Sequence, residues 1–457
     1  MPLILGTNSI KDTGFDVANS LRFNSGSSDY LTRTPGSASN QKTFTISFWI
    51  KRSASGNDMV FSAGNSSSNS DGEFHIGFTA DDDLNVLSGP VNMIVTNRRF
   101  RDVSAWYHIV VAMDTTQGTA SNRAKLYVNG VQETSFSTNQ TIGQNDDLAV
   151  NKNVAHEIGR FQRIAARYYN GYLSEFVLID GSALDPTSFG EFDDSGIWKP
   201  INVSGLTFGT NGFYLDFEDS SALGDDVSGN GNDFTVNNLT AIDQSTDTCT
   251  NNFATLNRLN THSSATLSEG NLKIATTGNN WYGGSGTIGI TLGQPAYFEA
   301  KAVSSARLYF GLSRLGEGVR GTTLNDSAEG SSDFDYMWRT TTANNVFYGG
   351  ASQSITIGAI SANDICACSV DSDGEVKFYL NDSLVVTFSQ NLIADYFYFP
   401  ILSVNAFGGG TESWLANFGS PPYAISSSNT DPDGYGNFEF ATKGGYALNT
   451  KNLAEYG

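Results

Sequence analysis

Apolar residues recur at every second position in one run after another along this chain. Phe44, Ile46, Phe48 and Ile50 alternate with Thr45, Ser47 and Trp49. Tyr107, Ile109, Val111 and Met113 alternate with Trp106, His108, Val110 and Ala112, and Val376, Phe378 and Leu380 with Lys377, Tyr379 and Asn381. A period of two puts one side of a strand on a core and leaves the other for solvent or a second layer. Between the runs stand Asp71-Gly72, Asn129-Gly130, Asp180-Gly181 and Asp373-Gly374, dipeptides that supply the positive φ of tight hairpins. No long run has helical spacing, and 48 glycines in 457 residues oppose long helices. Ser182 to Gly190, with Pro186 near its start, has room for one helical turn. The fold class expected is all-β, two antiparallel β-sandwiches (jelly rolls) in tandem.

The charge balance restricts the partners. Lys and Arg number 26 against 47 Asp and Glu, a net charge of −21, and such a field repels nucleic acid. It suits neutral, hydroxyl-rich ligands better than anionic ones. With 16% charged and 39% hydrophobic residues the chain can build cores and is not expected to be disordered. No apolar stretch is long enough for a spanning helix, so membrane insertion is not expected. Met1 to Gly6 lacks the basic start of a secretion signal, which points to synthesis and folding in a reducing cytosol. The three cysteines, Cys249, Cys366 and Cys368, are an odd set, and the last two share a strand face, so free thiols are expected.

One hairpin is written twice. Lys125-Leu126-Tyr127-Val128-Asn129 matches Lys377-Phe378-Tyr379-Leu380-Asn381, and Phe136 and Phe388 follow at equal distance. Two related sandwiches would each contain one copy.

Larger patterns point to families. Phe44–Ile50, Trp106–Val111, Ala124–Gly130, Ile158-Gly159 and Gly171–Val177, in that order, resemble the laminin-G-like jelly rolls of the concanavalin A-like lectin/glucanase group. Tyr297-Phe298-Glu299, Asn363-Asp364-Ile365, Val370–Asp382, Phe399-Pro400-Ile401 and Asn417-Phe418-Gly419 resemble the SPRY domain, another antiparallel sandwich. Between them lie Phe213–Phe217 and Asp226–Asp233. Segments like these open many laminin-G-like domains but here follow one, so this stretch either completes the first sandwich late or bridges both. The division expected is an N-terminal arm at 1–19, a laminin-G-like sandwich at 20–200, a connecting segment with a possible edge strand at 201–250, and a SPRY-like sandwich with a C-terminal tail at 251–457. The arm, with Ile4, Leu5, Ile10 and Phe15, would dock on a partner or wrap its own sandwich.

The tandem as a whole, with the tail Gly445–Leu453, resembles virion proteins of marine bacteriophages. That resemblance implies a non-enzymatic structural protein of the virion: an appendage, tail-fibre or capsid-surface module. Its partners would be other virion proteins, further copies of itself and a host-surface glycan. A carbohydrate-binding adhesin outside a virion and a polysaccharide-degrading enzyme remain as alternatives.

The residues offer little chemistry. Glycoside hydrolysis needs two carboxylates facing one bond, and no Glu here starts a Glu-x-Asp-x-x-Glu pattern. Glu175 stands alone on its strand. Of the four histidines, His75, His108, His156 and His262, His108 sits inside an apolar strand as a sheet histidine would. No enzyme is expected and no cofactor is required. Calcium is the one cofactor with plausible ligands, in Asp225, Asp226, Asn230 and Asp233 and in a second loop of Asp431, Asp433 and Asn437. Asp371 to Gly374 reads as a hairpin turn, and a purely structural role stands beside the metal reading for all three loops. For sugar stacking the candidates are Trp281, Tyr282, Trp338 and Arg339, with a core position the alternative for Trp338.

Overall fold

The computed structural model describes residues 14–64, 72–89, 91–161, 167–304, 307–314, 336–339 and 345–457. The chain divides into two compact units, Asp12–Thr250 and Asn251–Gly457. Each is an antiparallel β-sandwich, and the one α-helix among the described residues is Thr450–Tyr456. The helical turn expected near Pro186 is a 3-10 turn, Pro186–Ser188, whose first free N–H, on Thr187, is accepted by Asp185.

In the first unit, sheet I runs in the order Val131–Gln132, Ala124–Val128, Trp106–Asp114, Thr43–Arg52, Gly171–Asp180, Ser20–Phe23, Gln244–Ser245, with Phe213–Leu215 also on Gly171–Asp180. Sheet II runs Phe136–Asn139, Val91–Arg99, Asp83–Ser88, Phe74–Phe78, Met59–Gly64, Ala155–Ile158, Tyr30–Arg33, Thr235–Asn237. The alternating residues Phe44, Ile46, Phe48, Ile50, Ile109, Val111 and Met113 fill the space between the sheets. Residues 201–250 are part of this sandwich. Phe213–Leu215, Thr235–Asn237 and Gln244–Ser245 pair with three of its strands. Of the N-terminal arm, residues 1–13 lie outside the described residues. Val17 is buried, and its N–H donates to the Thr250 hydroxyl.

In the second unit, sheet III runs Leu256–Thr261, Tyr282–Gly286, Tyr398–Asn405, Arg307–Arg314, Tyr336–Arg339, Val346–Tyr348, Ala351–Ser352. Sheet IV runs Thr266–Ser268, Lys273–Thr276, Glu412–Asn417, Ala296–Ala302, Ile365–Val370, Val376–Leu380, Ser383–Thr387. Cys366 and Cys368 point from one strand into the core between these sheets, and all three cysteines are free thiols.

The repeated hairpin has a physical role in both units. Asn129-Gly130 and Asn381-Asp382 have φ of 48°, 77°, 46° and 70°, the positive values of a two-residue turn matched to strand twist. Each asparagine also extends the ladder to the strand beyond. Asn129 Oδ1 accepts from the His108 N–H at 2.7 Å while its own N–H donates to the His108 carbonyl. Asn381 does the same with Ile365, at 2.9 Å. The tyrosine of each copy faces outward beneath a second layer: Tyr127 against Phe189, Val203 and Phe208, and Tyr379 against Phe438 and Ala447. In both sandwiches, then, an irregular strap covers the outer face of one sheet.

Candidate functional site

The aromatic residues named for sugar stacking are interior. Trp281 and Trp338 are both 0% exposed. Trp281 stacks on Tyr309 at 3.6 Å between centroids, among Met337, Phe347 and Ile401. Trp338 is in the core between sheets III and IV, so the two indoles are on opposite sides of sheet III. Tyr282 is half-buried with its ring against His262, and Arg339 lies over the Phe347 ring. A pyranose needs an open ring face, and neither indole offers one. The alternation in Tyr336-Met337-Trp338-Arg339 already put Tyr336 and Trp338 on one face.

The calcium candidates close turns. Asp226 accepts from the N–H groups of Tyr214, Ser228 and Asn232 and from the Ser228 hydroxyl. Asp233 accepts from the Asp226 N–H, and the Asn230 amide donates to the carbonyls of Gly209 and Gly212. Asp431 likewise takes four donors: the N–H groups of Asp433, Tyr435 and Ala447, and the Asn452 amide. With the lone pairs of Asp226 and Asp431 directed at donors, these loops do not fit a hard cation that needs six or more oxygens. Asp225 is on the same turn, with its N–H bonded to the Ala222 carbonyl. Among the described residues no group of three or more His, Cys, Asp or Glu is placed to hold a metal ion. Asp371 is the hairpin residue it was read as, accepting from the N–H groups of Asp373 and Glu375.

A displaced carboxylic acid and a displaced histidine lie under the strap of the first sandwich. The strand Gly171–Asp180 slips register against Thr43–Arg52 between Ser174 and Val177. Glu175 sits in this bulge at φ 50°, uncommon for a residue with a Cβ. It is 6% exposed, and its carboxyl accepts from the Tyr214 hydroxyl at 2.6 Å. Burial pushes its pKa up to about 8 and raises that of Tyr214 as well. His108 Nδ1 accepts from the Trp198 indole N–H at 3.0 Å, so Nε2 carries the proton and donates to Ser47 Oγ at 2.8 Å. Burial lowers the His108 pKa to about 3, which keeps the ring neutral. Trp198 itself fits only because Gly130 and Gly190 lack side chains; a Cβ on Gly130 would stand 2.3 Å from its ring. The cavity shared by Ser47, Trp49, His108 and Glu175 is about 10 Å³, the space of one water. These groups hold the strap and have no room for a substrate. His156 is similar, accepting from the Asn151 N–H and donating to the Val154 carbonyl.

An open groove lies at the edge of this sandwich. The segment Ala120–Ile142 lines it with Ile94, and its volume is about 260 Å³. The hairpin strands Ala124–Val128 and Val131–Gln132 end sheet I, and Phe136–Asn139 ends sheet II, so the groove runs between two sheet edges. Half-buried Phe136 gives it apolar surface over the buried Leu126 and Ile142, and Gln132, Asn139 and Gln140 give it amides. Among the described residues lining it the one carboxylate is Glu133, which accepts from Arg98 Nε at 2.8 Å and from the Ser135 N–H. Sequence reading passed over this segment because its polar residues follow no catalytic pattern; the signal available was its position after the repeated hairpin.

Residues 25–187 match the family described as the Concanavalin A-like lectin/glucanases superfamily. The groove and the Glu175 strand both lie within that span. Among solved structures, the chain is similar to the SPRY domain of human HERC1, at 14% identity and TM-score 0.29, over 35% of this chain and 96% of that one. It is also similar to another human SPRY domain, at 14% identity and TM-score 0.26, over 36% and 98%. A heptameric SAP-like pentraxin from Limulus polyphemus gives 18% identity and TM-score 0.27, over 37% and 79%. Comparison with curated proteins finds no match.

Proposed function

We propose that this chain is a non-enzymatic recognition module that contacts glycans through the groove at Ala120–Ile142 and works on the exterior of a bacteriophage particle. The observation that carries the reading is the groove's makeup on a lectin/glucanase-type sandwich. It offers apolar surface and amides but a single carboxylate, already committed to Arg98. A hydrolase needs a second acid across the bond. Glu175, which burial raises to a pKa of about 8, is 6% exposed and faces a cavity of one water. The virion setting is supported by the resemblance of the tandem and of the tail Gly445–Leu453 to phage structural proteins. Several copies on one particle would compensate for the weak affinity of an open groove.

A saccharide panel probed with monomeric and multimerised protein tests this, with reducing ends assayed in the same wells. Binding that strengthens on multimerisation, without release of reducing ends, is expected. Failure of the multimer to bind any saccharide removes the glycan reading, and sustained release of reducing ends brings back the enzyme.

A further inference from the structure

We propose that the groove at Ala120–Ile142 takes an anionic saccharide, one carrying a carboxylate or sulfate on its rings. The inference rests on the glycan-binding reading and names its ligand class. It reverses what net charge alone suggests, because the groove has the opposite local balance to the chain.

Arg123 is held in place by neutral acceptors. Its Nε donates to the Gln117 carbonyl at 2.8 Å, and its terminal nitrogens donate to the carbonyls of Ile142 at 2.6 Å and Gly118 at 3.2 Å. None of these carries a charge, so the guanidinium is positioned without being neutralised. Three of its five N–H groups are used and two remain. Lys125 also lines the groove, is half-buried, and has neither an ion pair nor a side-chain hydrogen bond among the described residues. Glu133 is committed to Arg98. Asp114, whose N–H bonds the Arg123 carbonyl, turns its carboxylate to Thr116 and Gln117.

The result is a groove edge that carries Arg123, with Lys125 on the strand face it shares with Tyr127, and no spare carboxylate among the described lining residues, in a protein of net charge −21. A half-buried cation attracts an anion more strongly than one in bulk water. A locked guanidinium also loses little freedom on binding, and its planar N–H fork suits carboxylate or sulfate oxygens. Phe136 supplies a surface for the C–H face of a sugar ring, and Gln132 and Gln140 supply partners for hydroxyls.

The test is titration of the full chain with three oligosaccharides of matched length: a polygalacturonate, a sulfated galactan and a neutral β-glucan. At least one anionic sugar should bind about tenfold more tightly than the neutral one, and its affinity should fall severalfold between about 50 and 300 mM salt. Which anion binds distinguishes carboxylate from sulfate. Arg123 holds its own loop, so the variants are placed at Lys125. Lys125→Glu should weaken the anionic sugar about tenfold, and Lys125→Arg should preserve binding. Equal, salt-indifferent binding of all three sugars would overturn the anionic class and leave the glycan reading standing. Binding of none would overturn both.

Discussion

Glu175→Gln should leave stability near pH 5 almost unchanged and raise it by about 3 kcal/mol near pH 8. The folded chain holds the Glu175 carboxyl protonated until about pH 8, through burial. An unfolded chain releases that proton near the ordinary value for glutamate. Between those limits the folded state binds the extra proton, so stability falls as pH rises and levels off above the folded pKa. From this group alone the slope is about 1.4 kcal/mol per pH unit. Glutamine keeps an oxygen for the Tyr214 hydroxyl and carries no charge to desolvate. Thermal melts of both proteins across about pH 5 to 8.5 check this: the curves should diverge as pH rises, by up to about 10 °C at the alkaline end. Parallel curves would mean that Glu175 is ionised in the fold at all these pH values.

The same substitution in the second sandwich should have the opposite sign. Glu299 is 0% exposed on the outer face of sheet IV. It accepts from the N–H groups of Phe440 and Glu439, from the Tyr297 hydroxyl and from the Asn417 amide, at 2.9 to 3.1 Å. All four neighbours are donors, so both oxygens are needed. In Glu299→Gln one oxygen becomes an NH₂ facing two donors, and two buried groups lose their partner at about 1–3 kcal/mol each. These bonds pin the chain around Phe438 onto Tyr297 and Tyr379, so that strap is what should loosen. The expected result is a loss of about 3 kcal/mol with faster proteolysis between Ser420 and Lys443. A variant as stable and as protected as the parent would show that the tail is held by packing alone.

The legible parts of this fold were those set by local rules. Period-two alternation and the turns at Asn129-Gly130 and Asp373-Gly374 gave strand faces and hairpins, because pleat and positive φ are properties of neighbouring residues. The bulge at Glu175 was not legible. It breaks the alternation by one residue, and only the paired strand Thr43–Arg52 reveals the slip. The straps were hidden for a related reason: residues 181–208 and 420–449 have no periodicity, and what they cover is decided by contacts far along the chain. Trp281 was misplaced because a Gly- and Asn-rich neighbourhood reads as an exposed loop, whereas Trp338 takes the core position that stood as its alternative. The acidic turn at Asp226 was ambiguous in kind, since a carboxylate that caps N–H groups and one that binds calcium occur among the same glycines and asparagines.

The central claim, that a non-catalytic glycan contact lies at the edge of the first sandwich, is most directly tested by amide hydrogen exchange on the full chain with and without a saccharide that binds. The account predicts added protection within Ala120–Ile142 and a saccharide recovered at its original length. Protection centred on Trp281 or Trp338 instead, or a shortened saccharide, would contradict it.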